Sequence, residues 1–220
     1  MIELRPYQSS AIQAVSDEFQ RGHNHTLVVL PTGTGKTIVF AKIVEQNVLG
    51  GRRALILAHR GELLDQASEK FACGLDTALE KAESTSLGSL EPVTVASVQT
   101  LCQERRLAKF PKDYFDLIVV DEAHHCMSDS YQRILAYFDT AKVLGVTATP
   151  DRADQKSLGQ FFDSKAFEYT LNQAVRDKFL CPVKAQMIPL ELDIANVGIS
   201  NGDYAVGEIG SALEPYLNQI

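Results

Sequence analysis

Basic residues stop early in this chain: after Lys184 there is no Lys or Arg, while five acidic residues follow. The imbalance starts sooner. Residues 1–110 carry 12 basic and 12 acidic side chains, residues 111–220 carry 9 and 16, and the formal net charge is −7. The basic footprint of a passive nucleic-acid binder is therefore lacking. A locally positive groove in an acidic protein remains compatible with that composition. Cysteine is scarce and unpatterned: Cys73, Cys102, Cys126 and Cys181 show no CxxC spacing. They read as small core or surface residues of a reducing compartment. His124, His125 and Cys126 are adjacent, and neighbouring residues rarely share one tetrahedral site, which sets zinc aside. No apolar run approaches membrane-spanning length, and the first five residues do not resemble a signal peptide. Internal repeats and low-complexity tracts are absent too. These absences lead to the expectation of a cytoplasmic protein with no membrane partner.

What is present is an ordinary core-forming composition, 45% hydrophobic and 22% charged over 220 residues, enough for one large α/β domain or a domain with an attached piece. Pro6 suits the first turn of a helix in which Ala11, Ile12, Val15 and Phe19 share a face and Gly22 supplies the stop. Five apolar runs follow, at 26–30, 54–58, 93–96, 117–120 and 143–147. Most do not alternate with polar residues, as expected of strands buried on both faces of a parallel sheet. Helical patterns lie between them at 36–49, 61–73 and, more weakly, 97–107, with a loop over 84–89. Alternating strand and helix predicts an α/β fold: a mostly parallel sheet with helices on both faces.

The first run leads into Leu30-Pro31-Thr32-Gly33-Thr34-Gly35-Lys36-Thr37, a glycine-rich turn between strand and helix. Backbone N–H groups converge in such a turn, and the helix N-terminus adds partial positive charge. Lys36 is placed to reach β- and γ-phosphates, and the Thr37 hydroxyl to hold Mg²⁺. The generic pattern begins with Gly where this chain has Leu30. A plain connecting turn is the alternative, and Gly-Lys-Thr at a strand-to-helix junction favours the phosphate site.

Polar clusters stand at the C-terminal end of every apolar run. After the phosphate loop come His59-Arg60, Ser97-Val98-Gln99-Thr100, Asp121-Glu122-Ala123-His124 and Thr147-Ala148-Thr149-Pro150. In open parallel sheets that edge holds the ligand. Two carboxylates closing a buried strand cost desolvation unless a cation or hydrogen bonds compensate. Asp121 therefore reads as a Mg²⁺ ligand, usually through water, and Glu122 as the base for a water attacking the γ-phosphate. A helix N-cap pair is the alternative.

These residues resemble the first RecA-like domain of a superfamily 2 helicase or translocase. Arg5-Pro6-Tyr7-Gln8 resembles its glutamine motif, residues 31–37 motif I, 58–63 motif Ia, and 95–101 motif Ib. Residues 121–124 resemble motif II in its DEAH spelling, and 147–150 motif III. The wording "LRPYQ", "ASVQTL", "FDLIVVDEAHH" and "LGVTATPDR" is similar to the branch holding XPB, the phage helicase UvsW and type I and III restriction motor subunits. The resemblance implies a P-loop NTPase using ATP and Mg²⁺, with Arg5 and Gln8 at the adenine and Thr32, Gly33, Thr34, Gly35, Lys36 and Thr37 at the phosphates. It implies Thr37 and Asp121 at the metal, and Lys36, Asp121, Glu122 and His124 in catalysis. His124, Thr147 and Thr149 would couple nucleotide state to domain movement. Arg60, Gln99 and Thr100 would touch a nucleic-acid backbone. The bland reading of Arg60 is a solvated helix-start charge, and of Gln99 and Thr100 first-turn helix residues.

DEAD-box RNA helicases spell these motifs differently, so the resemblance implies DNA, duplex or branched, over RNA. A restriction-complex motor subunit, an RNA helicase and a non-hydrolysing nucleotide module are the rival readings. The QxxGRxxR motif, through which a second RecA-like domain supplies arginine fingers, does not occur. Expected boundaries are 1–184 for the ATP-binding domain and 185–220 for a connector towards a missing second domain. Residues 167–183 resemble the closing strand and helix of the first domain in this branch. The chain reads as a fragment that alone hydrolyses ATP very slowly, because an arginine finger is worth about 10³–10⁵ in rate.

Overall fold

The computed structural model describes residues 3–58, 77–81, 84–148, 158–182, 199–200 and 203–204. Seven strands form one all-parallel sheet. In chain order they are β1 (His25–Val29), β2 (Ala54–Ala58), β3 (Thr77–Glu80), β4 (Val93–Ser97), β5 (Leu117–Asp121), β6 (Lys142–Thr147) and β7 (Ser164–Glu168). Across the sheet the order is β3-β4-β2-β5-β6-β1-β7. Helices α1 (Pro6–Gln20), α2 (Lys36–Leu49), α3 (Val98–Leu101), α4 (Glu104–Leu107), α5 (Asp129–Tyr137) and α6 (Leu171–Arg176) accompany it. The chain divides into two compact units, 1–181 and 182–220. In the second, a two-stranded antiparallel ribbon pairs β8 (Ile199–Ser200) with β9 (Asp203–Tyr204).

The core explains why the central runs do not alternate. Val28 and Leu30 join a cluster with Ala11, Val15, Val39 and Phe40 of α1 and α2. Leu27 and Val29 point the other way, into a cluster with Phe115, Ile134 and Phe138. Each strand thus feeds two apolar layers by its period of two. Fully burying one Phe or Leu of this kind contributes about 1.5–3 kcal/mol. Helix α1 begins as its sequence suggests, with Pro6 at its first position and Gln8 Oε1 accepting the Arg5 N–H at 2.9 Å. Gly22, at φ +94°, breaks it.

The five anticipated strands are present, the 54–58 strand at its expected bounds and the others with ends shifted by a residue at most. Two edge strands add to them. β3 lies on β4 although Thr-Ala-Leu-Glu carries no strand pattern; its Glu80 is fully buried and accepts from Arg106 Nη1 (2.8 Å) and Ser86 N (2.7 Å). β7 starts at Ser164, ahead of the expected 167, because its polar edge residues obscure it. The weak helix over 97–107 is two single turns, α3 and α4, separated at Cys102 and Gln103. Residues 84–89 form the anticipated loop, closed by Gly88 at φ +82°. The helix expected over 61–73, Cys73, Arg60, Thr149 and most of the expected connector lie outside the described residues. No helix among the described residues is long and apolar enough to cross a membrane. Cys126 is buried, which pushes its thiol up to about 12 and leaves it unreactive at neutral pH.

Candidate nucleotide site

Register gathers the motifs at one edge. Val29 pairs with Thr147, Asp121 with Val146, and Ala58 with Ser97, so the phosphate loop and the segments after β5, β6 and β4 leave the sheet on the same side. Leu30 N donates to Thr147 O at 2.9 Å, which ties the root of the loop to the end of β6. Leu30 itself is fully buried, so the residue replacing the generic glycine serves as core.

The loop turns through Gly33 (φ +84°) and Gly35 (φ +81°), and Gly35 caps α2. Gly35 is required twice over. Its φ is left-handed, and a Cβ there would stand 2.7 Å from Gln8 Nε2. Ile38 N donates to Gly35 O at 3.1 Å, and a helix start of this kind offers its remaining first-turn N–H groups and partial positive charge to an anion. Thr32 and Gly33 are exposed at the loop's tip, and Thr37 is half-buried on the first turn. Thr34 is different. Its side chain is fully buried and donates to Pro31 O at 2.6 Å, and its N–H bonds the same carbonyl at 3.2 Å. It therefore braces the loop from within.

Lys36 Nζ lies 4.0 Å from Glu122 Oε1. Glu122 Oε2 is 3.5 Å from His124 Nδ1, which is 3.5 Å from Thr147 Oγ1. Lys36, Glu122, His124 and Thr147 thus form a continuous polar chain along the sheet edge. Glu122 adopts φ 56°, a left-handed conformation that costs a non-glycine residue about 1–2 kcal/mol. That single residue turns β5 into the 3-10 turn Ala123–His125. The N-cap position belongs to Glu122 rather than Asp121, and Glu122 makes no side-chain cap bond.

Asp121 is 8% exposed and its Oδ1 is buried with no hydrogen-bond partner among the described residues. Burial first, then the Glu122 charge, raises its pKa, while Lys36 works in the opposite sense. An orphaned carboxylate oxygen beside a phosphate loop is a donor suited to a hard cation or its bound water. With the Thr37 hydroxyl, these residues fit Mg²⁺.

Gln8 is buried, at 2% exposure, beneath Gly35. Its Oε1 accepts from Arg5 N, and its Nε2 donates to Thr34 O at 3.0 Å. Arg5 is exposed, with its guanidinium 5.0 Å from the Phe179 ring centre. Gln99 follows β4 on the same sheet edge and accepts from Ser97 Oγ at 2.8 Å, with Thr100 beside it on α3. Sequence reasoning did not single out Tyr7, whose hydroxyl donates to Thr34 O at 2.7 Å. Its adjacency to Gln8 was the available signal.

The same arrangement is reflected in sequence. The model of the type III restriction enzyme res subunit matches residues 1–152. The chain belongs to that family. It is similar to IRC3 of Saccharomyces cerevisiae, named as an ATP-dependent helicase, with 33% identity over 96% of this chain and 32% of that protein. It is 36% identical to the DNA 3'-5' translocase XPB2 of Sulfurisphaera tokodaii, over 70% of this chain and 33% of that one. Among solved structures, a fragment of an HsdR subunit of a type I restriction enzyme from Vibrio vulnificus matches with a TM-score of 0.61 and 27% identity. That match covers 79% of this chain and 31% of the other. The chain spans about a third of the length of these relatives. The fold is that of the N-terminal RecA-like domain of superfamily 2 helicases and translocases.

Proposed function

We propose that this chain is the ATP-binding domain of a DNA-dependent ATPase that hydrolyses Mg-ATP to unwind or remodel DNA. The observation that carries it is the polar chain Lys36–Glu122–His124–Thr147 at the edge where the phosphate loop begins. Lys36 and the first-turn N–H groups of α2 hold the β- and γ-phosphates. Thr37 and Asp121 would hold Mg²⁺, which when bound would supply charge neutralisation at the phosphate oxygens. Glu122 orients the attacking water and accepts its proton as the water oxygen bonds to the γ-phosphorus and ADP departs. His124, Thr147 and Thr149 pass the state of the γ-phosphate to the domain's edge. Arg5 and Gln8 meet the adenine, and Arg60, Gln99 and Thr100 meet the DNA backbone.

Residues 1–184 form the ATP-binding domain and 185–220 a connector to a second RecA-like domain, which supplies the arginine fingers. A cytoplasmic location accords with free, unpatterned cysteines. The second reading, a motor domain of a restriction complex, is favoured by the likeness to the HsdR fragment. The test is ATP hydrolysis by the protein with both domains, measured with duplex DNA, single-stranded DNA and RNA. Duplex or branched DNA is expected to stimulate it. Stimulation by RNA alone would overturn the assignment to DNA. Tight ATP binding without hydrolysis under any condition would make the domain a nucleotide-ordered module, and DNA cleavage by the assembled protein would favour the restriction motor.

A further inference from the structure

The phosphate loop leans on a part of the chain that no motif includes. Helix α6 ends at Arg176, and Lys178 follows at φ 63°. That left-handed residue folds the chain back, so that the N–H groups of Phe179 and Leu180 both donate to Ala174 O, at 2.9 and 3.1 Å. Leu180 is thereby set against the loop: a Cβ on Gly33 would lie 3.2 Å from its Cδ2. Phe179 meets the Tyr7 ring edge-on at 5.1 Å, and Tyr169 stacks on Tyr7 at 4.4 Å, tilted by only 11°. Tyr169 is fixed in turn by its hydroxyl, which donates to Asp177 Oδ2 at 2.8 Å.

Tyr7 is thus buried against two aromatic rings, and its hydroxyl makes two hydrogen bonds. It receives a hydrogen bond from Arg5 Nη1 at 3.1 Å and donates to Thr34 O at 2.7 Å. That carbonyl also accepts from Gln8 Nε2. Thr34 sits between the two glycines of the loop, so the position of its carbonyl sets the course of the backbone on both sides. Tyr7 and Tyr169 are each under 8% exposed, which removes water as a substitute donor.

We propose that Tyr7, packed against Tyr169 and Phe179 of the closing segment, is a positioning residue that sets the geometry of the phosphate loop. Nucleotide affinity then depends on a hydroxyl at position 7 and on a flat ring at position 169, more than 130 residues away in sequence. This rests on the reading of residues 30–37 as a phosphate site.

The test is displacement of a fluorescent ATP analogue from the full chain, in Mg²⁺, by ATP and separately by inorganic tripolyphosphate. Tyr7→Phe keeps the ring and its stacking and deletes one buried hydrogen bond, so both ligands should weaken by about fivefold. The equal factor is the mark of a phosphate-loop effect. Tyr169→Leu should weaken both ligands similarly, and Tyr169→Phe should restore most of the affinity because the stack survives. The double variant Tyr7→Phe/Tyr169→Leu should be no weaker than the weaker single variant, since both act through one bond. Lys36→Ala separates the two ideas. If it binds ATP as wild type does, the phosphate-site reading itself is wrong. If it loses ATP while Tyr7→Phe and Tyr169→Leu bind both ligands normally, the positioning role is overturned. Weakening towards ATP with tripolyphosphate held normally would assign Tyr7 to the base and overturn it equally. Should Tyr169→Leu fail to fold, the Tyr7→Phe comparison decides alone.

Discussion

At the scale of single residues, Asp121 and Glu122 show function opposing stability. Asp121 is a nearly buried carboxylate whose Oδ1 has no partner among the described residues. Glu122 occupies a backbone region that side chains disfavour. Both are unfavourable to the fold, and both stand beside the loop proposed to hold phosphate. Burial raises the Asp121 pKa above its unfolded value, so the folded state favours the protonated carboxyl. Its contribution to stability is therefore present below the ordinary carboxylate range and is lost as pH rises through the raised pKa. Asp121→Asn should stabilise the metal-free chain at neutral pH by about 1 kcal/mol, with the gain shrinking on acidification. Chemical denaturation at several pH values measures it; an equal gain at every pH would contradict the account.

At the scale of elements, Glu80 joins three pieces that carry no strong pattern of their own. Its buried carboxylate holds the loop over 84–89 through Ser86 and the α4 turn through Arg106, which is 16% exposed. Removing one partner of a buried pair leaves the other charge uncompensated, so Arg106→Ala should cost about 3 kcal/mol by equilibrium unfolding. A loss below about 0.5 kcal/mol, typical of a surface pair, would show that the pair is not effectively buried. β6 supplies a second case. A Cβ on Gly145 would stand 2.3 Å from Phe162 Cζ, so Gly145→Ala should cost about 1–3 kcal/mol, and pairing it with Phe162→Leu should recover part of the loss.

These same elements show what could be read from the chain. The five central strands were legible because burial on both faces writes itself as an unbroken apolar run. The phosphate loop and residues 121–124 were legible because their chemistry dictates residue type at fixed spacing. β3 and β7 were not. An edge strand buries less, and Ser-Lys-Ala-Phe-Glu satisfies its neighbour β1 with backbone bonds that leave no mark on side-chain choice. The left-handed Glu122 was also invisible, since a glutamate there is chosen for its carboxylate rather than its backbone. Tyr169 gave no local signal because its role arises only from packing against Tyr7.

At the scale of the whole molecule, the described domain gathers Lys36, Thr37, Asp121 and Glu122, the residues proposed for phosphate, metal and base, on one sheet edge. No QxxGRxxR arginine-finger motif occurs in the chain. On the proposed reading, Mg-ATP binding by Lys36, Thr37 and Asp121 and proton transfer by Glu122 are separable, so a variant of the base should spare the first. The most direct measurement compares wild type with Glu122→Gln in the two-domain protein, following both ATP affinity and DNA-stimulated hydrolysis. Loss of the general base should lower the stimulated rate by about 10²–10⁴-fold while leaving ATP affinity within a few-fold of wild type. Stimulated hydrolysis that survives unchanged in Glu122→Gln would contradict the assignment of the base, and with it the mechanism proposed for this site.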